Sequence, residues 1–437
     1  MKVKRITTVL LMCLALSSCS ILPAAPSVTE PVATAPVTTA AVADASQTTA
    51  QTTVVTETTV DPEVVRRQSY ETFLSGLYLD LTGQQMPSDS MSYYLDGLMS
   101  SSVNIYEIVS SMIESSDFSS EDLQDTDFIN DCFNTFMRRA PSDNEMRFYT
   151  DLIAGGTSRS DIAGMMMASD GFAQVCSDYG LTPEFNNNPE LYATAPYQYL
   201  AELPDANSMM PIGGYVPSDE VLASLYESMD NLTYKFSFLL VDINTGEGLA
   251  YNLDEIYYTA SSIKGPFAAS FCDLDPEQAA NWTNSLISLL QNSDNDAYAA
   301  LDETYHRTYI RQWCEQLGLD LAPFAYKYPH INSRQMAALW LRSYEFFESG
   351  EWGAQVASWY ENPNESAIHA MLGDQYVTRS KGGWFVDEDP YRTCTVDAGI
   401  VYADNGPYII VVMSEVPSSM DYLNPIVTSL DLAHQDM

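Results

Sequence analysis

The sequence predicts a multidomain chain in which an all-α repeat module precedes an α/β (α+β) domain whose antiparallel sheet is flanked by helices. The length of 437 residues is too great for one typical domain. Two similar segments with helical hydrophobic spacing follow each other between residues 66 and 180. After residue 218 the pattern changes to short apolar runs separated by turns, which is typical of strands.

Composition excludes several classes of function. The chain has 19 Lys and Arg against 59 Asp and Glu, a net charge of −40, and 46% hydrophobic residues. That hydrophobic content is enough to build folded cores. Because nucleic-acid binding needs clustered basic side chains, no nucleic-acid partner is expected. The charge also disfavours electrostatic docking on anionic lipid.

Residues 1–18 have the pattern of a bacterial lipoprotein signal peptide. Lys2, Lys4 and Arg5 are followed by an apolar run that is too short to span a bilayer. The run ends at Leu16-Ser17-Ser18-Cys19, which resembles a lipobox. We therefore expect lipidation at Cys19 and a location outside the cytoplasm, anchored to the membrane through that lipid. An ordinary soluble signal peptide is the alternative.

A stalk is predicted over residues 19–62. Residues 20–61 consist almost entirely of Ala, Thr, Val, Pro, Ser and Gln. Such a segment cannot bury enough apolar surface to fold, and we expect it to be disordered.

The module at residues 63–180 contains an internal repeat. Pro87-Ser88-Asp89 recurs 54 positions later as Pro141-Ser142-Asp143, and the pairs Leu98 and Leu152, Ser115 and Ser169, and Phe118 and Phe172 keep the same offset. Each unit is interpreted as a helix, a Pro-Ser-Asp cap, a second helix, a loop and a third helix. Its aromatic and methionine stripes are interpreted as core.

The second unit resembles the bacterial domain of unknown function 4214. The resemblance is carried by Arg138-Arg139-Ala140-Pro141-Ser142-Asp143, by Ser158-Arg159-Ser160-Asp161-Ile162 and by Ser169-Asp170-Gly171-Phe172. It implies a helical accessory module of surface proteins with no chemistry of its own. A cell-wall ligand is a candidate partner for this module.

Residues 181–217 are predicted to be a connector, and the cysteines do not indicate a disulfide framework. Five cysteines remain once Cys13 leaves with the leader and Cys19 takes lipid, an odd number at wide spacing: Cys132, Cys176, Cys272, Cys314 and Cys394. Cys132 with Cys176 is the best candidate pair, but buried free thiols are favoured.

The domain predicted at residues 218–437 opens with a helix and a hairpin. The helix is expected over Asp219–Met229, and the strands over Phe236–Asp242 and Leu249–Leu253. Ala260-Ser261-Ser262-Ile263-Lys264 then opens a helix. Ser and Lys three positions apart share one helix face, and a Lys of lowered pKa can take the proton of a Ser hydroxyl.

Two further motifs follow in order. Ser293-Asp294-Asn295 lies in a stretch interpreted as helical, and Lys381-Gly382-Gly383-Trp384 lies on a predicted strand. Strands over Thr395–Tyr402 and Tyr408–Met413, joined by an Asp-Asn-Gly turn, come next.

These motifs and strands resemble the class A β-lactamase and penicillin-binding serine hydrolase superfamily over residues 220–435. The resemblance implies that Ser261 is the nucleophile, Lys264 its base, Ser293 the proton donor to the leaving nitrogen, and Asn295 the group that positions Lys264 and the substrate amide. It implies that Lys381 supplies positive charge to a substrate carboxylate, that Gly382 and Gly383 belong to the substrate-binding strand, and that the backbone N–H groups of Ser261 and Trp384 form an oxyanion hole.

The sequence also departs from that superfamily. Gly382 replaces the hydroxyl residue that binds the β-lactam carboxylate in the family, and Tyr408 stands where many class A enzymes have an Arg. Between Leu321 and Trp340, where the family carries its deacylating glutamate, there is no acid. His330 lies in this loop and is a candidate base, although a bystander role is favoured.

Two functions remain open. The first is a surface serine hydrolase that forms an acyl-Ser261 intermediate with a β-lactam or a peptidoglycan stem peptide and is poor at deacylation. The second is an inert β-lactamase-like lipoprotein that binds the cell wall or another surface. The four His show no zinc spacing and no phosphate-binding glycine loop occurs, so neither a metal nor another cofactor is expected.

Overall fold

The computed structural model describes residues 61–113, 124–182, 189–205 and 207–437. These residues belong to one compact unit. The predicted leader, Cys19 and nearly all of the predicted stalk lie outside the described residues, as do Ser115 and Phe118 of the repeat. Among the described helices, none has the length and apolar character needed to cross a bilayer.

The described residues between 62 and 178 are mainly helical, as predicted. Its helices are α1 (Pro62–Thr82), α2 (Ser88–Ser100), α3 (Ile105–Ile113), α4 (Asp125–Phe136), α5 (Asp143–Ala154), α6 (Arg159–Met167) and α7 (Asp170–Asp178). Helices α1–α3 and α4–α6 follow the same order. Equivalent aromatic positions, such as Tyr78 and Phe133, are buried in both units, so the stripes form core.

The two Pro-Ser-Asp segments do not cap their helices in the same way. Ser142 caps α5: its Oγ accepts the Glu145 N–H at 3.1 Å, and Glu145 Oε2 accepts the Ser142 N–H at 2.7 Å. In the first unit Pro87 is the N-cap and makes no side-chain bond, so the predicted cap is wrong there. Met91 occupies the position equivalent to Glu145 and has no acceptor for the reciprocal bond.

The predicted connector contains two short helices and a strand. These are α8 (Pro189–Thr194), α9 (Pro196–Glu202) and β1 (Met210–Ile212). Strand β1 pairs with the sheet of the following region. The boundaries at 181 and 217 stay predictions.

The remaining chain forms the sheet and its flanking helices. The strands are β2 (Phe236–Asp242), β3 (Gly248–Tyr251), β4 (Tyr257–Tyr258), β5 (His330–Ile331), β6 (Val377–Phe385), β7 (Cys394–Ala403) and β8 (Gly406–Ser414). The helices are α10 (Asp219–Asn231), α11 (Lys264–Leu274), α12 (Pro276–Asn281), α13 (Thr283–Gln291), α14 (Asn295–Tyr305), α15 (Thr308–Gln316), α16 (Ser333–Phe347), α17 (Glu351–Ala357), α18 (Ala367–Leu372) and α19 (Asn424–Asp436).

The main sheet has the strand order β1-β3-β2-β8-β7-β6 and is antiparallel throughout. The fold class predicted from the sequence is therefore confirmed. Strand β3 ends at Tyr251, two residues before the predicted end, because Asn252 turns the backbone to a φ of +51°. Strands β1 and β6 form the two edges.

The sheet separates two cores. Along β2, Phe238 and Leu240 face the core that contains α10, α18 and α19, whereas Leu239 and Val241 face the core that contains α11 and α13–α17. The first core continues without a break into the helices of the repeat module.

Polar contacts seal the junction between the module and α10. The Arg147 guanidinium donates two bonds of 2.9 Å to Asp230 and lies 3.9 Å from the centroid of the Tyr226 ring. Ser142 Oγ also donates to Asp219 at 2.5 Å. The module and the sheet domain therefore pack as one body.

The five cysteines among the described residues are buried and free. This agrees with the expectation of buried thiols and leaves Cys132 and Cys176 unpaired. Burial raises the pKa of the Cys132 thiol, which makes it unreactive as a nucleophile.

Candidate active site

Ser261 lies in a 3₁₀ turn, Ala260–Ile263, that leads into α11. Lys264 is the first residue of α11, so the two side chains share a turn and not the predicted α-helical face. Ala260 has a φ of +42°, a conformation held by the surrounding packing. Strand β6 lies against this turn: a Cβ at Gly383 would be 2.7 Å from Ser261 N and 2.3 Å from Ser262 N. Only glycine permits this approach.

Lys264 is fully buried and held by the second motif. Its Nζ donates to Ser293 O at 2.7 Å, to Asn295 Oδ1 at 2.7 Å and to Ser293 Oγ at 3.4 Å. Burial, followed by repulsion from Lys381 and Lys327, lowers the pKa of Lys264 to about 7. A lysine in this environment exists partly as the neutral amine near neutral pH, which is the form a general base requires.

The second motif lies in a break between α13 and α14, and the prediction that it is helical is wrong for Ser293. Asp294 is the N-cap of α14 and accepts the N–H groups of Asp296 and Ala297, both at 3.0 Å. Ser288 Oγ donates to the same carboxylate at 2.9 Å. These bonds fix the turn in which Ser293 adopts a φ of +54°. The capping chemistry of Asp294 thus places Ser293 O and Asn295 beside Lys264.

Lys381 lies on β6 and is 2% exposed. Its Nζ donates to Gly382 O at 2.7 Å. Burial lowers the pKa of Lys381 to about 8, while the nearby carboxylates of Asp397 and Glu365 act in the opposite direction. The charges of two acids, Asp397 and Glu365, therefore stabilise the protonated form of Lys381.

Asp397 is a fully buried acid opposite Gly382 on β7. Its Oδ2 accepts Ser366 Oγ at 2.7 Å and the Ile368 N–H at 3.0 Å. Burial raises the pKa of Asp397 to about 6 in spite of these bonds. Sequence reasoning missed Asp397, although an acid inside an otherwise apolar strand is a recognisable signal.

The predicted residues surround one cavity of about 350 Å³. It is lined by Ser261, Gln291, Asn292, Ser293, Asn295, Asn364, Glu365, Lys381 and Trp384. Lys264 lies beneath it, bonded to Ser293 and Asn295. Strand β6 is an edge of the sheet, and an oxyanion site at Trp384 requires that the Trp384 N–H points away from β7. The structure thus assembles the predicted set, and the catalytic roles stay predictions.

Gly382 occupies the position where the family carries a hydroxyl. A Cβ here would lie 2.5 Å from the backbone O of Glu365 and 2.5 Å from Met420 Cε. Contacts this short do not occur at real Cβ atoms, so the segment containing Glu365 takes the space of the missing side chain.

The short loop before α16 brings a cation to the site in place of an acid. Lys327 Nζ lies 4.8 Å from the centroid of Tyr298, and Lys264 Nζ lies 5.5 Å from the same centroid. Tyr328 from this loop donates its hydroxyl to Asn295 Oδ1 at 3.3 Å. Sequence reasoning missed both residues, because nothing in their spacing connects them to the motifs.

His330 and Tyr408 lie outside the cavity lining. His330 Nε2 is 2.9 Å from Tyr391 O, and its ring packs 5.1 Å from that of Tyr258. Tyr408 is buried in the core and donates to Asp431 at 2.7 Å, so it does not take the place of a substrate-binding Arg.

Lysine is concentrated at this site. The described part of the chain contains four lysines, and three of them, Lys264, Lys327 and Lys381, lie in or beside the cavity. In a chain of net charge −40, three of the four described lysines therefore share one site with the carboxylates of Glu365 and Asp397.

Two family profiles match the chain. The profile described as a domain of unknown function, DUF4214, matches residues 110–176, and the profile of the Beta-lactamase enzyme family matches residues 273–430. Both resemblances drawn from the sequence are confirmed. The chain therefore has a helical N-terminal region and a C-terminal β-lactamase-like domain.

Solved β-lactamase structures are similar to about half of the chain at low identity. A β-lactamase from Chitinophaga pinensis DSM 2588 is 15% identical with a TM-score of 0.40, covering 49% of this chain and 98% of its own. An ancestral class A β-lactamase is 17% identical with a TM-score of 0.40, covering 50% and 100%. A β-lactamase from Desulfarculus baarsii DSM 2075 is 13% identical with a TM-score of 0.40, covering 51% and 98%. Among curated proteins, none matches the sequence.

Proposed function

We propose that the protein is a serine hydrolase that forms an acyl-Ser261 intermediate with a β-lactam or a peptidoglycan stem peptide. The observation that carries the proposal is the buried Lys264, whose pKa is lowered to about 7 beside Ser261 and whose Nζ is held by Ser293 and Asn295. An inert structural site gives no reason to bury an ammonium group among three hydrogen-bond acceptors.

The acylation step divides among these groups. Neutral Lys264 takes the Ser261 hydroxyl proton as Oγ attacks the carbonyl carbon, and the N–H groups of Ser261 and Trp384 receive the developing oxyanion. When the C–N bond breaks, Ser293 passes a proton to the leaving nitrogen and is reprotonated from Lys264. Lys264 Nζ is engaged with Ser293 and Asn295 in this structure, so the transfer requires it to exchange one of these partners for Ser261.

Slow deacylation is part of the proposal. The loop before α16 presents Lys327 and Tyr328 to the site, and neither is an acid that activates water. The expected product of the reaction with a penicillin is therefore a long-lived adduct.

Intact mass spectrometry tests the proposal. The mature chain is mixed with benzylpenicillin, and its mass is followed over time beside the Ser261→Ala variant. A lasting adduct that depends on Ser261 supports an acyl-enzyme with poor deacylation, whereas rapid product release by unmodified protein would contradict the slow step. The absence of any adduct would favour the alternative, an inert lipoprotein that binds the cell wall.

We further propose that the protein acts outside the cytoplasm, anchored by lipid on Cys19, and that the helical module binds a cell-wall ligand. The lipobox-like sequence supports the anchor, whereas the profile that matches the module is a domain of unknown function and names no ligand. Expression of the full chain with labelled palmitate tests the anchor: label should appear in the wild type and be lost in Cys19→Ala. Binding to isolated cell wall tests the module. The wild-type chain and Cys19→Ala should both be retained, and loss of both would contradict the proposal.

A further inference from the structure

One wall of the cavity is a segment tied down on both sides. Asn364 N donates to Gln291 O at 2.9 Å, and Asn364 Nδ2 donates to Asn292 Oδ1 at 2.7 Å. On the other side of Glu365, Ser366 Oγ donates to the buried Asp397. Glu365 lies between these anchors, and its exposed side chain lines the cavity with Ser261. The hydrogen bonds of Asn364 and Ser366 therefore anchor the segment on both sides of Glu365, and the exposed Glu365 side chain extends from it.

That carboxylate belongs to the same segment that fills the space beside Gly382. Because the Glu365 carbonyl lies 2.5 Å from where a Cβ of residue 382 would be, β6 cannot present a hydroxyl there. The structure thus removes a neutral hydrogen-bond donor for a ligand carboxylate and adds a negative charge close to the same strand.

Lys381 is the nearby cation, and its charge only partly offsets the added negative charge of Glu365. Lys381 Nζ already donates to Gly382 O, and its field is shared with Asp397 and Glu365. The rest of the lining is rich in side-chain amides, namely Gln291, Asn292, Asn295 and Asn364. Amides pair with neutral carbonyl and N–H groups and gain no charge–charge attraction from a carboxylate.

On the premise that Ser261 is the nucleophile of the proposed function, we infer that the cavity favours, among its acyl donors, those with an uncharged amide or ester beside the scissile bond over those with a carboxylate there. Glu365 is the specificity-determining residue. It acts by repelling a donor carboxylate, and the amide side chains provide neutral partners for the group that replaces it.

A pair of ligands that differ by one charge tests this selection. Benzylpenicillin and its methyl ester share the same reactive ring, and their intrinsic reactivities are compared by alkaline hydrolysis. The rate of Ser261 acylation is measured by intact mass for the mature wild type, Glu365→Gln, Glu365→Lys and the control Glu303→Gln. Glu303 is an exposed acid near the far end of α14, away from the cavity lining.

The wild type should acylate faster with the ester than its intrinsic reactivity predicts. Removing the Glu365 charge should raise the benzylpenicillin rate about three- to tenfold in Glu365→Gln, which is the effect of one unit charge acting over roughly 7 Å in partly wet surroundings. The rate should rise further in Glu365→Lys. The ester should change far less, and Glu303→Gln should match the wild type with both ligands.

The outcomes separate the two proposals. If Ser261 forms adducts but the benzylpenicillin rate is unchanged or falls in both Glu365 variants, the selection is overturned and the serine hydrolase stands. If neither ligand acylates Ser261 in any variant, the proposed function fails, and the selection fails with it.

Discussion

Lys327 is the cation that the loop before α16 brings toward Lys264, and its removal should move the pH dependence of acylation. Neutral Lys264 is the proposed base, so acylation of Ser261 should rise with pH and reach half its maximum near the Lys264 pKa of about 7. The positive charge of Lys327 disfavours protonated Lys264. The substitution Lys327→Gln should therefore raise the Lys264 pKa and shift the curve to higher pH.

The size of the shift follows from the geometry. The two Nζ atoms lie 5.5 and 4.8 Å from the Tyr298 centroid, which places them no more than about 10 Å apart. At that distance and an effective dielectric constant of about 20 to 80, their repulsion is roughly 0.4–1.7 kcal/mol. This corresponds to a rise of about 0.3–1.2 pH units in the Lys264 pKa.

The assay is the rate of Ser261 acylation by a fluorescent penicillin between about pH 5.5 and 9.5, a range chosen to bracket lysine pKa values lowered in this way. The variant should be slower than the wild type below pH 7 and equal to it at the upper end. Lys235→Gln is the matched control, because Lys235 is the fourth lysine of the described chain and pairs with Glu255 away from Lys264. An apparent pKa that stays fixed or falls in Lys327→Gln would refute the reasoning.

Three further predictions concern stability. Because burial raises the pKa of Asp397 to about 6, its contribution is present below its unfolded value and lost as pH rises through 6. Denaturant unfolding should thus show the wild type losing about 2–3 kcal/mol relative to Asp397→Asn between pH 4 and 7, and parallel profiles would contradict this. Gly383→Ala should cost about 1–3 kcal/mol and most of the acylation rate, since its Cβ would lie 2.7 Å from Ser261 N; wild-type rates would argue against this packing. Ser142→Ala should cost about 1 kcal/mol in thermal unfolding, whereas Ser88→Ala, where no cap bond exists, should cost little; equal losses would count against the capping account.

The sequence predicts those parts of the fold that local patterns determine. Strand β2 is found to the residue because Phe236–Asp242 is a mostly apolar run between turns. Strand β1 has no such pattern: it is three residues long and contains a proline, and only pairing with β3 makes it a strand. The turn at Ser293 was missed because the cap that Asp294 supplies interrupts an otherwise helical pattern.

The candidate site divides in the same way. Ser261, Lys264 and Lys381 are recognised by the spacing and order of their motifs. Glu365 and Lys327 reach the cavity because segments distant in sequence pack together, and no local pattern encodes that packing. No local pattern shows that the Glu365 carbonyl occupies the space that a side chain at Gly382 would need.

The strand order also fixes the distance between a cavity at one edge of the sheet and Ser261 at the other edge. The helical module and β1 line a common cavity of about 540 Å³ at one edge of the sheet, whereas Ser261 lies against β6 at the other edge. Six strands spaced by roughly 4.8 Å put about 24 Å between the edges. If the module binds a polymer at this cavity, the rigid sheet keeps the bound segment at a constant distance from Ser261.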